Sequence, residues 1–73
     1  MKQILIVEDD NLLNKTLAYN LASDDYAITN VLNARAAAEA LKAKSFDLVF
    51  WKRKIYFSRS AITVRNSVQG YNH

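Results

Sequence analysis

The sequence predicts an α/β fold in which hydrophobic strands alternate with two short helices. Three observations support this prediction: a continuous apolar run at residues 4–7, a second hydrophobic segment at residues 46–51 that only Asp47 interrupts, and two stretches of helical spacing between them. Continuous apolar runs are typical of parallel strands that are covered on both faces. Strands that alternate with helices of about ten residues favour right-handed crossovers and a parallel sheet.

Residues 2–7 form the first predicted strand, and the hydrophobic period changes soon after it. Leu13, Leu17 and Leu21 recur every four residues, which predicts a helix with one apolar face. Asp10 is predicted to cap the N-terminus of this helix, because an Asp side chain accepts a hydrogen bond from a free backbone N–H there.

Residues 26–31 are predicted to form a short second strand, and residues 34–44 are predicted to form a second helix. Asn33 is its predicted N-cap, and the alanine-rich sequence gives it strong helix propensity. The residues of its narrow apolar face, which suits close packing on a sheet, are Ala37, Ala40 and Leu41. Residues 46–51 then form the third strand, so the predicted pattern is βαβαβ.

The length and composition of the chain limit the possible functions. Seventy-three residues make one small domain with a marginal hydrophobic core. The absence of cysteine excludes disulfides and thiolate metal sites, in agreement with a reducing compartment. Since no apolar run is long enough to span a bilayer and no signal-peptide pattern follows Lys2, we expect a cytoplasmic protein that has no membrane partner.

The charge of the chain changes sign near residue 51. Residues 1–51 contain five Lys or Arg and seven Asp or Glu, whereas residues 52–73 contain five Lys or Arg and no acid, so the whole chain carries +3. Such asymmetry favours a separate basic tail over residues 52–73, either irregular or strand-forming. Because the tail mixes cations with aromatic residues, weak nucleic-acid binding is a third, least favoured function.

Acidic residues directly follow the first strand. In open parallel sheets, ligands bind beyond the carboxyl ends of the strands, so Glu8, Asp9 and position 52 are expected at one edge. Position 52, however, is a lysine, and Lys52-Arg53-Lys54 is a run of cations.

Three segments, residues 4–12, residues 33–34 followed by 39–41, and residues 46–50, together resemble the receiver domain of two-component response regulators, especially those of the winged-helix transcription-factor subfamily. The resemblance covers about fifty of the 73 residues. It implies a truncated flavodoxin-like fold with parallel strand order 2-1-3. It also implies that Glu8 and Asp9 match the acidic pair that holds Mg²⁺. The phosphoacceptor aspartate of the family falls on Lys52.

The sequence departs from the family pattern after residue 51. An ammonium group cannot form the acyl phosphate of phosphoryl transfer, so the resemblance implies no catalytic residue and no enzyme activity, with only vestigial, weak Mg²⁺ binding at Glu8 and Asp9. We interpret residues 1–51 as a partial receiver domain and residues 52–73 as an unrelated tail, whether natural, frameshifted or engineered. The function expected by resemblance is that of a truncated phosphorelay receiver fragment that is not phosphorylatable.

The edge of the third strand determines the expected partners. In the family a fourth strand pairs along that edge, and an uncovered hydrophobic edge templates pairing with another chain. We therefore expect a homo-oligomer formed through the third strand. The alternative is a pseudo-receiver that binds itself, a sensor histidine kinase or a full-length regulator without phosphorylation. Residues 55–57 and 61–64 also have strand propensity, so tail residues that fold back on the edge are a further possibility.

Overall fold

The fold is seen in a computed structural model that describes residues 1–57, the part of the chain to which every structural statement below refers. Its elements are β1 (Lys2–Val7), α1 (Asn11–Leu21), β2 (Tyr26–Val31), α2 (Ala34–Ala43), β3 (Leu48–Trp51) and β4 (Lys54–Phe57). This alternation confirms the predicted α/β class. Most of the basic tail, including the predicted strand over residues 61–64, lies outside the described residues.

One mixed sheet of four strands organises the structure. Its order is β2-β1-β3-β4, with β1 parallel to both β2 and β3, and β4 antiparallel to β3. In the centre of the sheet, Leu5 of β1 lies between Thr29 of β2 and Val49 of β3. The carboxyl ends of the three parallel strands therefore meet at one edge, where ligands bind in sheets of this kind.

Both helices begin at the predicted caps. The Asp10 side chain accepts a hydrogen bond from the Leu13 backbone N–H at 3.0 Å, and the Asn33 side chain accepts one from Ala36 at 2.8 Å. Each bond satisfies a backbone donor that has no partner within its own helix. These two bonds confirm the cap predictions. The caps could be predicted because each depends on residues only three positions apart.

Helix α2 covers one face of the sheet and closes the hydrophobic core. Its alanines bring the helix close to the strands, since a methyl group holds the two backbones less far apart than a larger side chain. The residues of this core are Leu5, Val7, Ala37, Ala38, Leu41, Phe46, Val49 and Trp51. The alternation along β3, with Val49 and Trp51 buried, identifies the face that α2 covers.

Helix α1 lies on the opposite face, where its contacts are with β2 and β1. The three leucines of its predicted apolar face, Leu13, Leu17 and Leu21, are only half-buried. Its one fully buried residue is Asn14, and Tyr19 remains 84% exposed. The helix is therefore held to the sheet by a polar contact as well as by apolar packing.

The edge of β3 is covered by β4, so the predicted free edge of the third strand was wrong. Leu48 pairs with Phe57, and Phe50 pairs with Ile55, in antiparallel register. The prediction was wrong because it placed all residues after residue 51 outside the sheet. A two-residue turn instead returns the chain along β3, as in the alternative in which residues 55–57 cover the edge.

The turn between β3 and β4 has an unusual composition. Lys52 and Arg53 have φ angles of 53° and 62°, so both adopt the left-handed conformation. Two-residue hairpin turns of this type match the twist of the strands, but they strongly favour Asn-Gly. An ordinary residue in this conformation costs about 1–2 kcal/mol, because its Cβ approaches the following carbonyl oxygen.

Replacing both turn residues with the preferred pair should stabilise the protein. We expect Lys52→Asn/Arg53→Gly to raise the free energy of unfolding by about 1–2 kcal/mol, since glycine removes the steric cost at position 53 and asparagine tolerates the left-handed conformation at position 52. Urea denaturation followed by circular dichroism measures this change. The control Lys52→Ala/Arg53→Ala removes the same two charges but keeps a Cβ at each position. An equal gain in both variants would show that charge, not backbone strain, is responsible.

Candidate functional site

A shallow cavity of about 340 Å³ lies at the carboxyl ends of β1 and β3. The end of β1, the start of α2 and the β3–β4 turn form its walls. Its lining residues are Val7, Glu8, Asp9, Leu32, Asn33, Ala34, Trp51 and Lys52. All three residues that the sequence placed at this edge, Glu8, Asp9 and Lys52, line this one cavity.

The two acidic residues occupy different environments in the cavity. Glu8 is buried, with 6% of its surface exposed, and one of its carboxylate oxygens accepts a hydrogen bond from the Asp10 backbone N–H at 3.1 Å. Asp9 is exposed. The carboxylate of Glu8 is thus oriented by the backbone at the start of α1, whereas that of Asp9 is free to turn towards solvent.

Lys52 contributes the positive charge of the cavity. It directly follows Trp51, the last residue of β3, and its ammonium nitrogen lies 4.9 Å from the centre of the Trp51 ring. Contact with an aromatic face at this distance is favourable for a cation. The cavity therefore combines two carboxylates, one ammonium group and an aromatic wall.

The sequence analysis missed a buried polar network that holds the backbone of Glu8. The Asn14 side-chain amide donates to the backbone carbonyls of Glu8 and Val31, at 3.0 Å and 2.7 Å, and its oxygen accepts from the Asn30 side chain at 2.6 Å. Asn14 thereby connects α1 to the ends of β1 and β2 and holds the Glu8 backbone in place. The only signal in the sequence is a polar residue next to Leu13 on an otherwise apolar helix face.

Asp47 lies outside the cavity, at the opposite end of the sheet. Its carboxylate accepts a hydrogen bond from the Gln3 backbone N–H at 2.7 Å, and its own N–H donates to the Gln3 carbonyl at 2.8 Å. These two bonds join the start of β3 to the start of β1. The residue therefore has a structural role and takes no part in the cavity.

The cavity is a poor fit for Mg²⁺. Among residues 1–57, no group of three or more His, Cys, Asp or Glu side chains is arranged to hold a metal ion. Glu8 and Asp9 offer two carboxylates, and the charge of Lys52 in the same cavity opposes a cation. We therefore assign no chemical step to a metal here.

Comparison with known proteins adds no relative. No protein-family model matches the sequence, and no curated protein or solved structure matches it. Within the described residues, neither helix has the length and apolar character needed to cross a membrane. The functional assignment consequently depends on the strand topology and on the residues of the cavity.

Proposed function

We propose that the protein is a receiver-like chain, derived from a two-component response regulator, that does not accept a phosphoryl group. The observation that carries this proposal is the meeting of Glu8, Asp9 and Lys52 in one cavity beyond parallel strands β1 and β3. The order β2-β1-β3 is the order that a flavodoxin-like receiver requires. We place this protein in the cytoplasm, where such phosphorelays operate.

The chemistry of position 52 explains the loss of phosphorylation. A receiver is phosphorylated when a carboxylate oxygen attacks the phosphorus atom in line with the leaving group, with cations balancing the equatorial oxygens. The protonated amine of Lys52 has no lone pair for this attack. Its charge also weakens any binding of Mg²⁺ to Glu8 and Asp9.

The first test of this proposal is phosphorylation itself. Incubation of the full chain with acetyl phosphate and Mg²⁺ should add no hydroxylamine-labile phosphoryl group, because no carboxylate stands at position 52. Intact-mass spectrometry measures this directly. A mass increase of one phosphoryl group, mapped to Asp9 or Asp10, would overturn the proposal.

The second test restores a carboxylate at the site. Lys52→Asp would place three carboxylates around the cavity, so we expect Mg²⁺ to bind at least about tenfold more tightly, which corresponds to about 1.4 kcal/mol. Trp51, the one tryptophan of the chain, lines the cavity and reports binding through its fluorescence. The control Arg53→Asp makes the same charge change one residue away. Equal affinities in the two variants would count against a vestigial metal site.

The second candidate function is a protein-binding module that works without phosphorylation. Ile55 and Phe57 favour it, since these large apolar side chains are 56% and 65% exposed on β4. The partner classes are a second copy of the chain, a sensor histidine kinase and a full-length regulator. Exposed apolar patches of this kind mark interaction sites.

A further inference from the structure

The cavity at the carboxyl ends of β1 and β3 contains opposite charges that form no ion pair with each other. Glu8 and Lys52 directly follow the paired residues Val7 and Trp51, so they come from neighbouring strands at one edge of the sheet. Such strands lie about 4.8 Å apart, and both residues line the cavity. Within residues 1–57, however, no cationic nitrogen lies within 4.0 Å of the Glu8 carboxylate oxygens. The two charges are therefore separated by the space of the cavity.

One oxygen of the buried Glu8 carboxylate remains available to a ligand. Its Oε1 accepts the hydrogen bond from Asp10, and Glu8 has no other side-chain hydrogen bond within the described residues. The one buried side-chain nitrogen or oxygen without a partner in that part of the chain is Oε1 of Gln3. Oε2 of Glu8 is therefore not enclosed, and the cavity is the space that this residue lines. Because only 6% of Glu8 is exposed, a cationic donor at this oxygen would offset the cost of burying its charge.

A second part of the cavity suits an anion. Asn33 and Ala34, at the start of α2, line the cavity together with Lys52. The Asn33 side chain satisfies the Ala36 N–H, whereas the N–H groups of Ala34 and Arg35 have no partner within the helix. A helix N-terminus of this kind carries partial positive charge and favours carboxylates. Lys52 adds a full positive charge, so the ammonium group and the helix terminus together form an anion subsite.

We propose that the cavity binds a free α-amino acid with an aliphatic side chain. The ammonium group of this ligand lies at Glu8 and Asp9, and its carboxylate lies at Lys52 and the start of α2. Its side chain lies against Leu32, a lining residue that is 45% exposed. Lys52 opposes a bare cation and the two carboxylates oppose a bare anion, so a molecule that carries both charges fits best. A volume of about 340 Å³ is at the lower end of the range for ligand pockets, roughly 300–1,000 Å³, and suits a single amino acid.

Lys52 links this site to the proposed function, on which the inference rests. A site that still accepted a phosphoryl group would have a carboxylate at position 52. The lysine found there instead supplies a cation that an amino-acid carboxylate can bind through a charge-assisted hydrogen bond. In the proposed receiver-like chain, the same residue thus removes the phosphoacceptor and completes a site for a small zwitterion.

Titration of the isotope-labelled full chain with L-leucine, followed by NMR, tests the proposal. We expect saturable shifts of the amides that line the cavity, with a dissociation constant between about 10 μM and 1 mM, since the site is open and the ligand is small. Leucinamide lacks the carboxylate and isocaproate lacks the ammonium group, so each should bind at least about tenfold more weakly than leucine. Measurement at about pH 6.5 keeps leucinamide protonated, because α-amino groups titrate at about pH 7.7–8.0.

Two variants distinguish the two ends of the ligand. Glu8→Gln keeps the shape of the side chain but removes its charge, so leucine and leucinamide should bind at least about tenfold more weakly, whereas isocaproate should lose no affinity. Lys52→Met should weaken leucine and isocaproate by a similar factor and should not weaken leucinamide. The controls Glu39→Gln and Lys54→Met make the same changes at exposed residues outside the cavity and should leave all three affinities unchanged. Circular dichroism checks that every variant folds.

Three results would overturn the amino-acid site. They are the absence of saturable shifts at about 10 mM leucine, shifts confined to amides outside the cavity, and loss of leucinamide binding in Lys52→Met. Each of them leaves the proposed function intact if acetyl phosphate still adds no phosphoryl group. Phosphorylation of Asp9 or Asp10 would instead remove the proposed function, even if leucine binding persisted.

Discussion

Asn14→Asp is expected to lower the free energy of unfolding by about 3–5 kcal/mol at neutral pH, because it leaves an uncompensated charge in a buried site. The substitution preserves side-chain volume but removes both amide donors. The Glu8 and Val31 carbonyls then face a carboxylate that can only accept hydrogen bonds. For a chain of 73 residues, a loss of this size is close to the whole stability.

The pH dependence of this variant gives a second readout. Burial and the neighbouring carbonyls raise the pKa of the introduced carboxyl in the folded state above its unfolded value of about 3.9. The loss of unfolding free energy is therefore complete above the pKa of the carboxyl in the folded state, and it becomes smaller as the pH falls below that pKa. Urea denaturation at several pH values measures this. The control Asn20→Asp alters an exposed residue of the same helix and should cost less than about 1 kcal/mol. Equal losses would refute the role of the Asn14 network.

Trp51→Ala should lower the free energy of unfolding by about 3–5 kcal/mol through the cavity that it leaves. Trp51 is buried among the core residues under α2, and its ring lies 6.4 Å from that of Tyr56 on β4. It thus joins the core to the added strand. Loss of this side chain should also loosen the β3–β4 hairpin.

Phe50→Ala is the matched control for this prediction. Phe50 is the neighbouring residue on β3, but it is only half-buried and points away from α2. Its truncation leaves a smaller cavity, so we expect a loss of about 1–2 kcal/mol. Thermal denaturation by circular dichroism compares the two variants. Equal losses would contradict a core that is concentrated on the α2 side of the sheet.

The structural elements that could be predicted are those that depend on residues close together in the sequence. The apolar run at residues 4–7 predicted a central strand, and β1 includes it. Asp10 and Asn33 predicted the two helix starts, where the capping bonds reach only three residues ahead. Glu8, Asp9 and Lys52 were expected at one edge because parallel strands bring their carboxyl ends together.

The tertiary structure alone decided the role of Asn14. Its three hydrogen bonds reach Glu8, Asn30 and Val31, on two different strands. No local sequence pattern predicts these hydrogen-bond partners, because they become neighbours only when α1 packs on the sheet. The half-burial of Leu13, Leu17 and Leu21 has the same cause, since helical spacing predicts an apolar face but not how much of it a sheet will cover.

The edge of β3 shows the same division most clearly. Composition and charge indicated a break after residue 51, and the sequence by itself determined that no carboxylate stands at position 52. It did not determine that Lys54–Phe57 would pair along β3, because the Lys52–Arg53 turn lacks the residues that usually mark a hairpin. There, pairing of the free backbone groups along the exposed edge of β3 outweighed the unfavourable conformation of the turn. Long-range pairing of this kind becomes visible only when the strands are assembled.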